Sequence, residues 1–596
     1  MSETKPFIAL VDFGSQYTHL IARRLKDLGV DTRFFKPTQP PPKTSRLRGI
    51  ILSGGPNSVI KNPLPFNKSW LTSTQPLLGL CYGHQLIARQ FKGQVTPGQI
   101  REYGPARLTI NQLHPLTAQI KKHSTVWMSH GDSVTKLPPG FINLGSTATL
   151  PHAALAHRSK PIFGLQFHPE VHHTVYGQIL LKNFCFNICG LKPHKPTDQL
   201  TKIQAAVLQQ VGNKKVFLLV SGGVDSTVAL IILVKTLGPK RVYALHIDTG
   251  LLRQNESRLV GQSLKKLGYR RWQTNKAGAL FLKNLAGITD PERKRQIIGQ
   301  TFLQVAKLAT KRLKLNTKDW LLGQGTIYPD TIESGGTKHA DKIKTHHNRI
   351  GLLQRLAQDN LLVEPLKELY KDEVRRLGQT LGLPQELLWG HPFPGPGLGV
   401  RLLCLNKRQA NQLNQSVKQL NLKNIPHLIL PINSVGVQGD ERSYARPLAV
   451  DAPYSSFAYW HKQATKLTNQ HKLINRVLLK LTGPSLTLIK AYSSFITKQR
   501  IKLLQQCDAL VTQELKAAGL YYKIWQCPVV LIPIGFRHQE SLVIRPFTSR
   551  EAMTGQAYHL PEPVIKTLAK RLTKLKKLDY IFYDLTDKPP GTVEWE

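Results

Sequence analysis

The hydrophobic and polar positions of the first third of the chain alternate regularly. Apolar runs such as PFIALVDFG and RGIILSGGP flank the amphipathic stretch YTHLIARRLKDLG, and PLLGLCYGHQLIARQF repeats this order. The apolar runs predict buried strands, and the amphipathic stretches predict helices between them. Such alternation forms a parallel sheet whose functional loops lie at the carboxyl ends of the strands. We therefore predict an α/β domain over residues 1–192.

The next segment begins after the polar stretch LKPHKPTDQL. KKVFLLVSGGVDSTVALIILVKTLG again has the order strand, glycine turn and helix, and RVYALHIDTG and DWLLGQGTIYP supply further strands. The segment ends in HPFPGPGLGVR, which is too rich in Pro and Gly for helix or strand. We predict a second parallel α/β domain over residues 193–401.

The last third of the chain, residues 402–596, contains an internal repeat. LILPINSVGVQGDERSYARPLA corresponds to VVLIPIGFRHQESLVIRPFT, and NRVLLKLTGP corresponds to DYIFYDLTDKPP. Each copy has the pattern strand, strand, helix, strand. The fold class is therefore α/β, with two parallel-sheet domains and a C-terminal α+β region whose two units lie at about 402–495 and 496–596.

The composition is that of a folded protein with several domains. The chain has 596 residues, of which 41% are hydrophobic. No apolar stretch approaches the roughly 20 residues of a membrane helix, and the first residues lack a signal-peptide pattern, so we expect a cytoplasmic protein. The six cysteines form no CxxC pair, which predicts neither a disulfide framework nor a zinc ribbon. Cys185 and Cys189 are interpreted as small buried hydrophobic residues.

The charge balance is strongly basic, with 82 Lys and Arg against 36 Asp and Glu and a net charge of +46. Such a charge suggests a polyanion as a partner. The basic residues are spread along the chain, however, and no recognised nucleic-acid module accompanies them, so specific nucleic-acid binding is not predicted. A basic surface that attracts anionic substrates, or a compositional bias, is the simpler interpretation.

One cysteine lies where a strand ends and a helix begins. We expect this residue, Cys81, to be presented rather than buried, and the helix N-terminus favours its nucleophilic thiolate. FGLQFHPE supplies His168 and Glu170 after another strand. A Cys, a His and a carboxylate are the nucleophile, base and orienting group of acyl transfer. The SGGP turn can aim main-chain N–H groups at an oxyanion, although an ordinary tight turn has the same sequence.

CYGHQ, FHPE and the GGP turn together resemble the class I glutamine amidotransferases, a family with a flavodoxin-like sheet, across the whole first segment. The resemblance implies that Cys81 attacks the glutamine amide, that His168 transfers the proton, and that Glu170 orients His168 while ammonia leaves. The residues implied in the oxyanion hole and near the glutamine are Gly54, Gly55, the main chain of Tyr82, Gln85 and the SHGD stretch from Ser129.

The SGGVDS turn of the second segment combines small residues, hydroxyl groups and a helix N-terminus, all of which suit phosphate. Its spacing is neither that of a Walker loop nor that of a dinucleotide fold. The turn resembles the signature of the ATP pyrophosphatases, which implies a Rossmann-like sheet and cleavage of ATP between the α and β phosphates. The implied ATP-binding residues are Ser221, Gly222, Gly223, Val224, Asp225, Ser226, Thr227 and Asp248.

Two carboxylates and two basic stretches refine this site. Asp225 is the candidate for contacting Mg²⁺, the cation expected with ATP. Asp248 lies at a strand end where adenosine is expected, although an aspartate that caps a turn is an alternative. The stretches PERKRQIIGQTF and KIKTHHN could bring cations to the phosphates, or they could be solvated helix faces.

The C-terminal segment distinguishes between enzymes that share these two parts. KPPGTVEWE, VGVQGDERSY, HPFPGPGLGVR and GQGTIYPD resemble the glutamine-hydrolysing GMP synthetases over essentially the whole chain. The resemblance implies that xanthosine 5′-monophosphate is adenylated by ATP at O2 and that ammonia from glutamine then displaces AMP. The implied xanthylate-binding residues are Arg295, Asp440, Gln526, Lys588 and Glu594. By itself, the tail reads as a solvated terminus.

Three alternatives remain open. NAD synthetase and a transfer-RNA sulfur-inserting enzyme share the phosphate loop, but the C-terminal motifs argue against both. A nucleic-acid-binding protein on the same scaffold is suggested by the charge, but the intact Cys81, His168 and Glu170 argue against a loss of catalysis.

The oligomeric state is open as well. Shorter relatives carry the C-terminal unit once and pair it with that of a second subunit, so monomer and homodimer are both possible.

Overall fold

The computed structural model describes residues 5–15, 17–194, 198–316, 318–328, 359–416, 420, 422, 425–438, 441–471, 473–549 and 554–596. These residues form three main sheets, one in each of the three segments. Within the described ranges, no helix combines the length and the apolar composition that a membrane crossing requires.

The first sheet has nine strands. Their bounds are β1 Phe7–Val11, β2 Asp31–Phe35, β3 Leu47–Leu52, β4 Leu77–Leu80, β5 Gln94–Ile110, β6 His123–Lys136, β7 Phe141–Ser146, β8 Ala154–His157 and β9 Ile162–Leu165. The strand order is β2-β1-β3-β4-β9-β8-β7-β5-β6. The part from β2 to β9 is parallel, which confirms the predicted pattern. The other four strands extend it in antiparallel fashion, which the sequence analysis did not predict.

Helices of the first segment follow its strands. They are Thr18–Asp27, Tyr82–Gln90 and Gly177–Lys182, with a π-helical turn at Asn183–Ile188 and 3-10 turns at Lys68–Trp70 and Pro115–Thr117. Cys185 and Cys189 are buried at that π-helical turn, as predicted, and all six cysteines of the chain are free thiols.

The second sheet has five strands and is parallel throughout. The strands are β10 Lys215–Leu219, β11 Val242–Asp248, β12 Trp272–Lys276, β13 Trp320–Gly323 and β14 Leu362–Val363, in the order β12-β11-β10-β13-β14. The helices are Gln199–Val211, Val224–Leu237, Glu256–Lys266, Gly278–Asn284, Pro291–Arg312, Lys371–Thr380 and Gln385–Leu388, with 3-10 turns at Pro239–Arg241 and Gly397–Val400. The parallel pairing confirms the predicted second α/β domain.

The described residues of the third segment form eleven strands. They are β15 His427–Ile429, β16 Ser434–Gln438, β17 Glu441–Val450, β18 Ile474–Thr482, β19 Lys490–Ala491, β20 Val529–Ile532, β21 Ile534–Gly535, β22 Glu540–Ile544, β23 Phe547–Thr548, β24 Gln556–Ala557 and β25 Leu578–Asp584. The helices are Lys407–Gln415, Phe457–Gln470, Lys498–Ala517 and Glu562–Thr573, with 3-10 turns at Tyr454–Ser456 and Leu486–Leu488.

The main sheet of this segment has the same pattern of strand pairing when it is followed inward from either edge. Its order is β15-β17-β18-β25-β22-β20, with β16 paired to β17. In each half an antiparallel pair is followed by a parallel pair, and the parallel strands are joined through a helix. β18 and β25 pair antiparallel at the centre and join the halves. This arrangement confirms the two repeated units, whereas the exact domain boundaries stay predictions.

The second and third segments share one hydrophobic core. Phe217, Leu251 and Ile298 from the second segment belong to the same buried cluster as Leu448 and Val477 from the third. The first segment has its own cores and meets the second through a small aromatic cluster. Side chains that cross the boundary between the second and third segments are therefore held by packing on both sides.

Candidate active site

Cys81 lies in a sharp turn between β4 and the helix Tyr82–Gln90. Its φ of 51° is in the left-handed region, which costs backbone strain in a non-glycine residue. Two glycines make the turn possible, because a Cβ on Gly79 would lie 2.5 Å from the Gly83 carbonyl carbon and a Cβ on Gly83 would lie 2.5 Å from the Leu52 oxygen. The turn holds the Cys81 sulfur at the N-terminus of the helix.

The sulfur is more enclosed than the sequence analysis predicted. Cys81 is only 6% exposed, so the expectation of a presented side chain is wrong. The covering groups come from distant strands: the Ser129 oxygen lies 3.5 Å from Sγ and the Gln166 amide nitrogen lies 3.8 Å from it. A buried thiol is shielded from water, which suits a centre that forms a hydrolysable acyl intermediate.

His168 and Glu170 complete the predicted triad. Nδ1 of His168 lies 2.7 Å from Oε1 of Glu170, both side chains are buried, and the Cys81 sulfur is within hydrogen-bonding reach of the imidazole. Burial by itself would lower the pKa of His168, but the negative charges of Glu170 and Cys81 raise it well above its usual value. The raised pKa favours the imidazolium form of His168, next to the Cys81 sulfur.

The residues expected at the oxyanion and the glutamine surround this triad. A Cβ on Gly54 would lie 3.3 Å from Cε1 of His168, so the SGGP turn reaches the imidazole. Tyr82 is the first residue of the helix, and Gln85 donates to the Asp132 oxygen at 2.7 Å and to Gln166 at 3.2 Å. The structure thus brings Gly54, Tyr82, Gln85 and Ser129 to the triad, whereas Gly55 packs against Phe13. Gln166 was missed, although it lies inside the quoted FGLQFHPE stretch.

The SGGVDS turn follows β10 and caps the helix Val224–Leu237. Ser221 N donates to the Ser226 hydroxyl at 3.2 Å, and the Thr227 hydroxyl donates to the Gly223 oxygen at 2.9 Å. Gly222 has a φ of 89°, and a Cβ there would lie 2.2 Å from the Val260 side chain. The turn is therefore fixed by its own hydroxyls at the N-terminus of the helix, a position that suits an anion.

Asp225 sits in the first turn of that helix. Its Oδ2 accepts from Lys371 Nζ at 2.6 Å, and its buried Oδ1 has no hydrogen-bond partner among the described residues. Lys371 begins a helix 146 residues further along the chain and was not predicted as part of the site. One carboxylate oxygen is thus tied to a lysine, while the other remains available to a cation.

Asp248 ends β11 beside a large cleft. Its Oδ1 accepts from Gly250 N at 3.0 Å, so the turn-capping alternative is realised as well. The cleft has a volume of about 650 Å³ and carries both signs of charge. Its charged lining residues are Asp248, Arg253, Glu256, Arg258, Lys265 and Lys276. The contact of Asp248 with adenosine stays a prediction. The KIKTHHN stretch lies outside the described residues.

The residues expected at the xanthylate fall around the tail, which is buried rather than solvated. Gln526 Nε2 donates to Glu594 Oε1 at 3.0 Å. Arg295 contacts Glu292 at 2.7 Å and the main chain of Glu596. The interpretation of the tail as a solvated terminus is wrong, because Glu594 is 8% exposed.

Lys588 and Asp440 complete the expected xanthylate set. Lys588 is buried and pairs with Gly555 through two main-chain hydrogen bonds of 2.9 and 3.0 Å. Asp440 lies outside the described residues. Arg401, which sequence reasoning missed, donates to both oxygens of Glu594 at 2.9 and 3.0 Å. The clue to Arg401 in the sequence was its position at the end of the HPFPGPGLGVR stretch, which carries part of the resemblance.

A Cys–His–Glu centre on one sheet and an SGGVDS turn on the next are the two parts of an ATP-dependent glutamine amidotransferase. Three families match the corresponding parts of the chain: Glutamine amidotransferase class-I over residues 9–188, NAD synthase over 197–282, and GMP synthase C terminal domain over 513–595. Relatives that align over the full length then identify the family.

The chain is 43% identical over 607 residues to the probable glutamine-hydrolyzing GMP synthase of Leptospira interrogans, covering 99% of each protein. It is 35% identical over 604 residues to that of Aquifex aeolicus, covering 99% of each, and 34% identical over 612 residues to that of Thermobifida fusca, covering 99% of this chain and 98% of that protein. The chain belongs to the glutamine-hydrolysing GMP synthases. The comparisons give no support to the nucleic-acid-binding alternative, and the C-terminal match argues against an NAD synthetase.

Proposed function

We propose that this chain converts xanthosine 5′-monophosphate, ATP, glutamine and water into GMP, AMP, pyrophosphate and glutamate. One observation carries the proposal: a Cys–His–Glu centre and an SGGVDS turn lie on a single chain that aligns over 99% of its length with a GMP synthase. The first site releases ammonia, and the second activates the purine that receives it.

Glutamine hydrolysis takes place at Cys81. The thiolate attacks the amide carbon, and main-chain N–H groups at Gly55 and Tyr82 receive the developing oxyanion. His168 donates its proton to the departing ammonia, and Glu170 stabilises the imidazolium through the 2.7 Å contact. Water, deprotonated by His168, then attacks the thioester, which releases glutamate and restores the thiol.

Adenylation takes place beside the SGGVDS turn. O2 of the xanthylate attacks the α-phosphorus of ATP, and the bond from that phosphorus to the bridging oxygen breaks to release pyrophosphate. The N-terminus of the helix Val224–Leu237 suits the departing anion. Ammonia then attacks C2 of the purine, and the C2–O bond breaks to release AMP.

Mg²⁺ is the cation we propose at this site, with Asp225 as its protein contact. The fit rests on the buried Oδ1 of Asp225, which has no hydrogen-bond partner among the described residues. The described part of the chain has no group of three or more His, Cys, Asp or Glu placed to hold a metal, so the phosphates would supply most of the ligands. When bound, Mg²⁺ neutralises charge on the phosphate oxygens.

We assign the xanthylate to the buried tail of the third segment. Arg295 and Lys588 suit its phosphate, and the Glu594 carboxylate suits donors of the ribose or base. The contact between Gln526 and Glu594 supports a shared binding surface there. Asp440, outside the described residues, remains a proposed contact from the family pattern.

For the oligomeric state, we propose a monomer. The two repeated units pair with each other through β18 and β25, so each already has a partner within the chain. A homodimer would require a further surface.

The experiment that tests the proposed function is a product analysis. Purified protein is incubated with ATP, Mg²⁺, xanthylate and glutamine labelled with ¹⁵N at the amide, and we expect labelled GMP together with AMP and pyrophosphate. ADP and phosphate as products would contradict the adenylation step. The C81A variant should lose glutamine-dependent synthesis and keep ammonium-dependent synthesis, since only the ammonia source is removed. Loss of both activities would contradict the separation of the two sites.

A further inference from the structure

A buried carboxylate lies between two arginines at the boundary of the second and third segments. Asp508, on the helix Lys498–Ala517, is 4% exposed. Its Oδ2 lies 3.6 Å from Nε of Arg253, and its Oδ1 lies 3.6 Å from a terminal nitrogen of Arg401. Both distances exceed the 2.7–2.9 Å of a close charge-assisted hydrogen bond. The carboxylate therefore interacts with both guanidinium groups and forms a close hydrogen bond with neither.

Each arginine belongs to a different nucleotide site. Arg253 lines the 650 Å³ cleft beside Asp248, where the adenosine of ATP is expected. Arg401 is fully buried and holds both oxygens of Glu594, the carboxylate assigned to the xanthylate. Asp508 is thus linked to each site through one arginine, and its own carboxylate does not line the cleft.

An aromatic ring fixes the geometry of this trio. Phe393, in the HPFPGPGLGVR segment, lies 4.5 Å from the Arg253 guanidinium carbon and 5.3 Å from that of Arg401, measured to the ring centroid. Gln505, one turn before Asp508, donates to the Leu252 oxygen at 2.8 Å. The helix that carries Asp508 is therefore attached to the loop that carries Arg253.

We propose that Asp508 is a positioning residue that makes the binding of ATP and of xanthylate mutually favourable. This inference rests on the proposed function. Bound ATP that engages Arg253 in this cleft withdraws it from Asp508, and the carboxylate then moves closer to Arg401 and strengthens the hold of Arg401 on Glu594 for the xanthylate. Thermodynamic reciprocity requires that xanthylate strengthens ATP binding by the same factor.

The test measures xanthylate affinity by calorimetry, with and without saturating Mg²⁺ and α,β-methylene-ATP, whose methylene bridge cannot be cleaved at the reacting bond. In the unaltered protein we expect the analogue to tighten xanthylate binding about tenfold, within the usual range of coupling between sites. In D508N, which removes the charge and keeps the shape, we expect a ratio of affinities near one.

A matched control separates this role from general stability. Glu540 is another buried carboxylate and lines neither site. It accepts a hydrogen bond of 3.0 Å from Arg500, which lies on the same helix as Asp508. E540Q should lower the thermal midpoint and keep the tenfold ratio. If D508N does not fold, R253Q carries the test, because the side chain of Arg253 is 23% exposed against 6% for Asp508, and its ratio should also fall to about one.

Three results would overturn the inference. They are a D508N or R253Q ratio equal to that of the unaltered protein, an equal loss of coupling in E540Q, or no coupling in the unaltered protein while both nucleotides bind. Failure of the unaltered protein to bind xanthylate at all would instead overturn the proposed function, and this inference with it.

Discussion

The protonation state of His168, in the centre proposed for glutamine hydrolysis, depends on the charge of a neighbouring carboxylate. The pKa of His168 is raised mainly by Glu170, against the effect of burial, so the imidazolium persists to higher pH than an ordinary histidine would allow. In E170Q that support is lost and the imidazolium deprotonates at lower pH. The alkaline limb of the kcat/KM profile for glutamine hydrolysis should therefore shift down by about one to three pH units.

The shift is measured from glutamate release over a range of pH. Ammonium-dependent GMP synthesis by the same variant serves as the control, because it does not use His168 and should keep its profile. An alkaline limb that stays in place in E170Q would show that the Glu170 charge does not hold the imidazolium.

At this scale the sequence predicts residues whose chemistry is encoded locally. Cys81, His168 and Glu170 lie in short motifs, and the structure places them together. Lys371 and Arg401 were missed because their partners, Asp225 and Glu594, lie 146 and 193 residues away. A lysine or arginine on a helix or in a loop usually faces solvent, and only the packing of distant segments reveals a buried partner.

Two helices form the contact between the glutaminase segment and the ATP segment. Arg23 and Lys26, on the helix Thr18–Asp27, pair with Asp372 and with Glu373, the latter at 3.1 Å. Lys371, the neighbouring residue, holds Asp225 in the SGGVDS turn. On the other side, Nε of Arg24 donates to the main-chain oxygen of Glu170 at 2.8 Å. The helix pair therefore connects the phosphate turn to the triad.

We expect charge reversal at this contact to separate the two activities. R23E should lower glutamine-dependent synthesis about fivefold, or about 1 kcal/mol of coupling, and leave ammonium-dependent synthesis intact. The double variant R23E/D372R should regain most of the loss, since it restores an opposite-charge pair. Rates with glutamine and with ammonium are compared for all three proteins. A double variant as impaired as R23E would argue for local disruption instead of a lost pair.

The predicted helices and strands agree best with the structure where the hydrophobic pattern of a strand also indicates its pairing partner. The buried runs of β1, β3 and β4 give parallel strands, as expected. The antiparallel strands β5 to β8 were not anticipated, because a period-2 pattern predicts a strand and does not identify its neighbour. The exposure of Cys81 was misjudged for the same reason: β6 supplies the covering Ser129 oxygen, and its position depends on that pairing.

For the whole molecule, the pairing of β18 with β25 predicts the oligomeric state. Because each repeated unit already covers the other, we expect a monomer with a mass near 67.0 kDa. Sedimentation equilibrium over a hundredfold range of concentration, about 0.1 to 10 μM, spans the Kd values of ordinary specific dimers. A mass that rises to twice the monomer value within this range would contradict the prediction.

Nothing in the described part of the chain explains the net charge of +46.

The near-symmetric sheet also changes how this region can evolve. In a twofold-symmetric dimer every substitution at the interface occurs on both sides at once, so each position must suit both roles. Here the two halves are separate stretches of one chain, and the buried trio of Arg476, Arg545 and Asp584 draws one arginine from the first copy and the other two residues from the second. Each half can therefore accumulate its own substitutions, so one can specialise in nucleotide binding while the other supplies only its support.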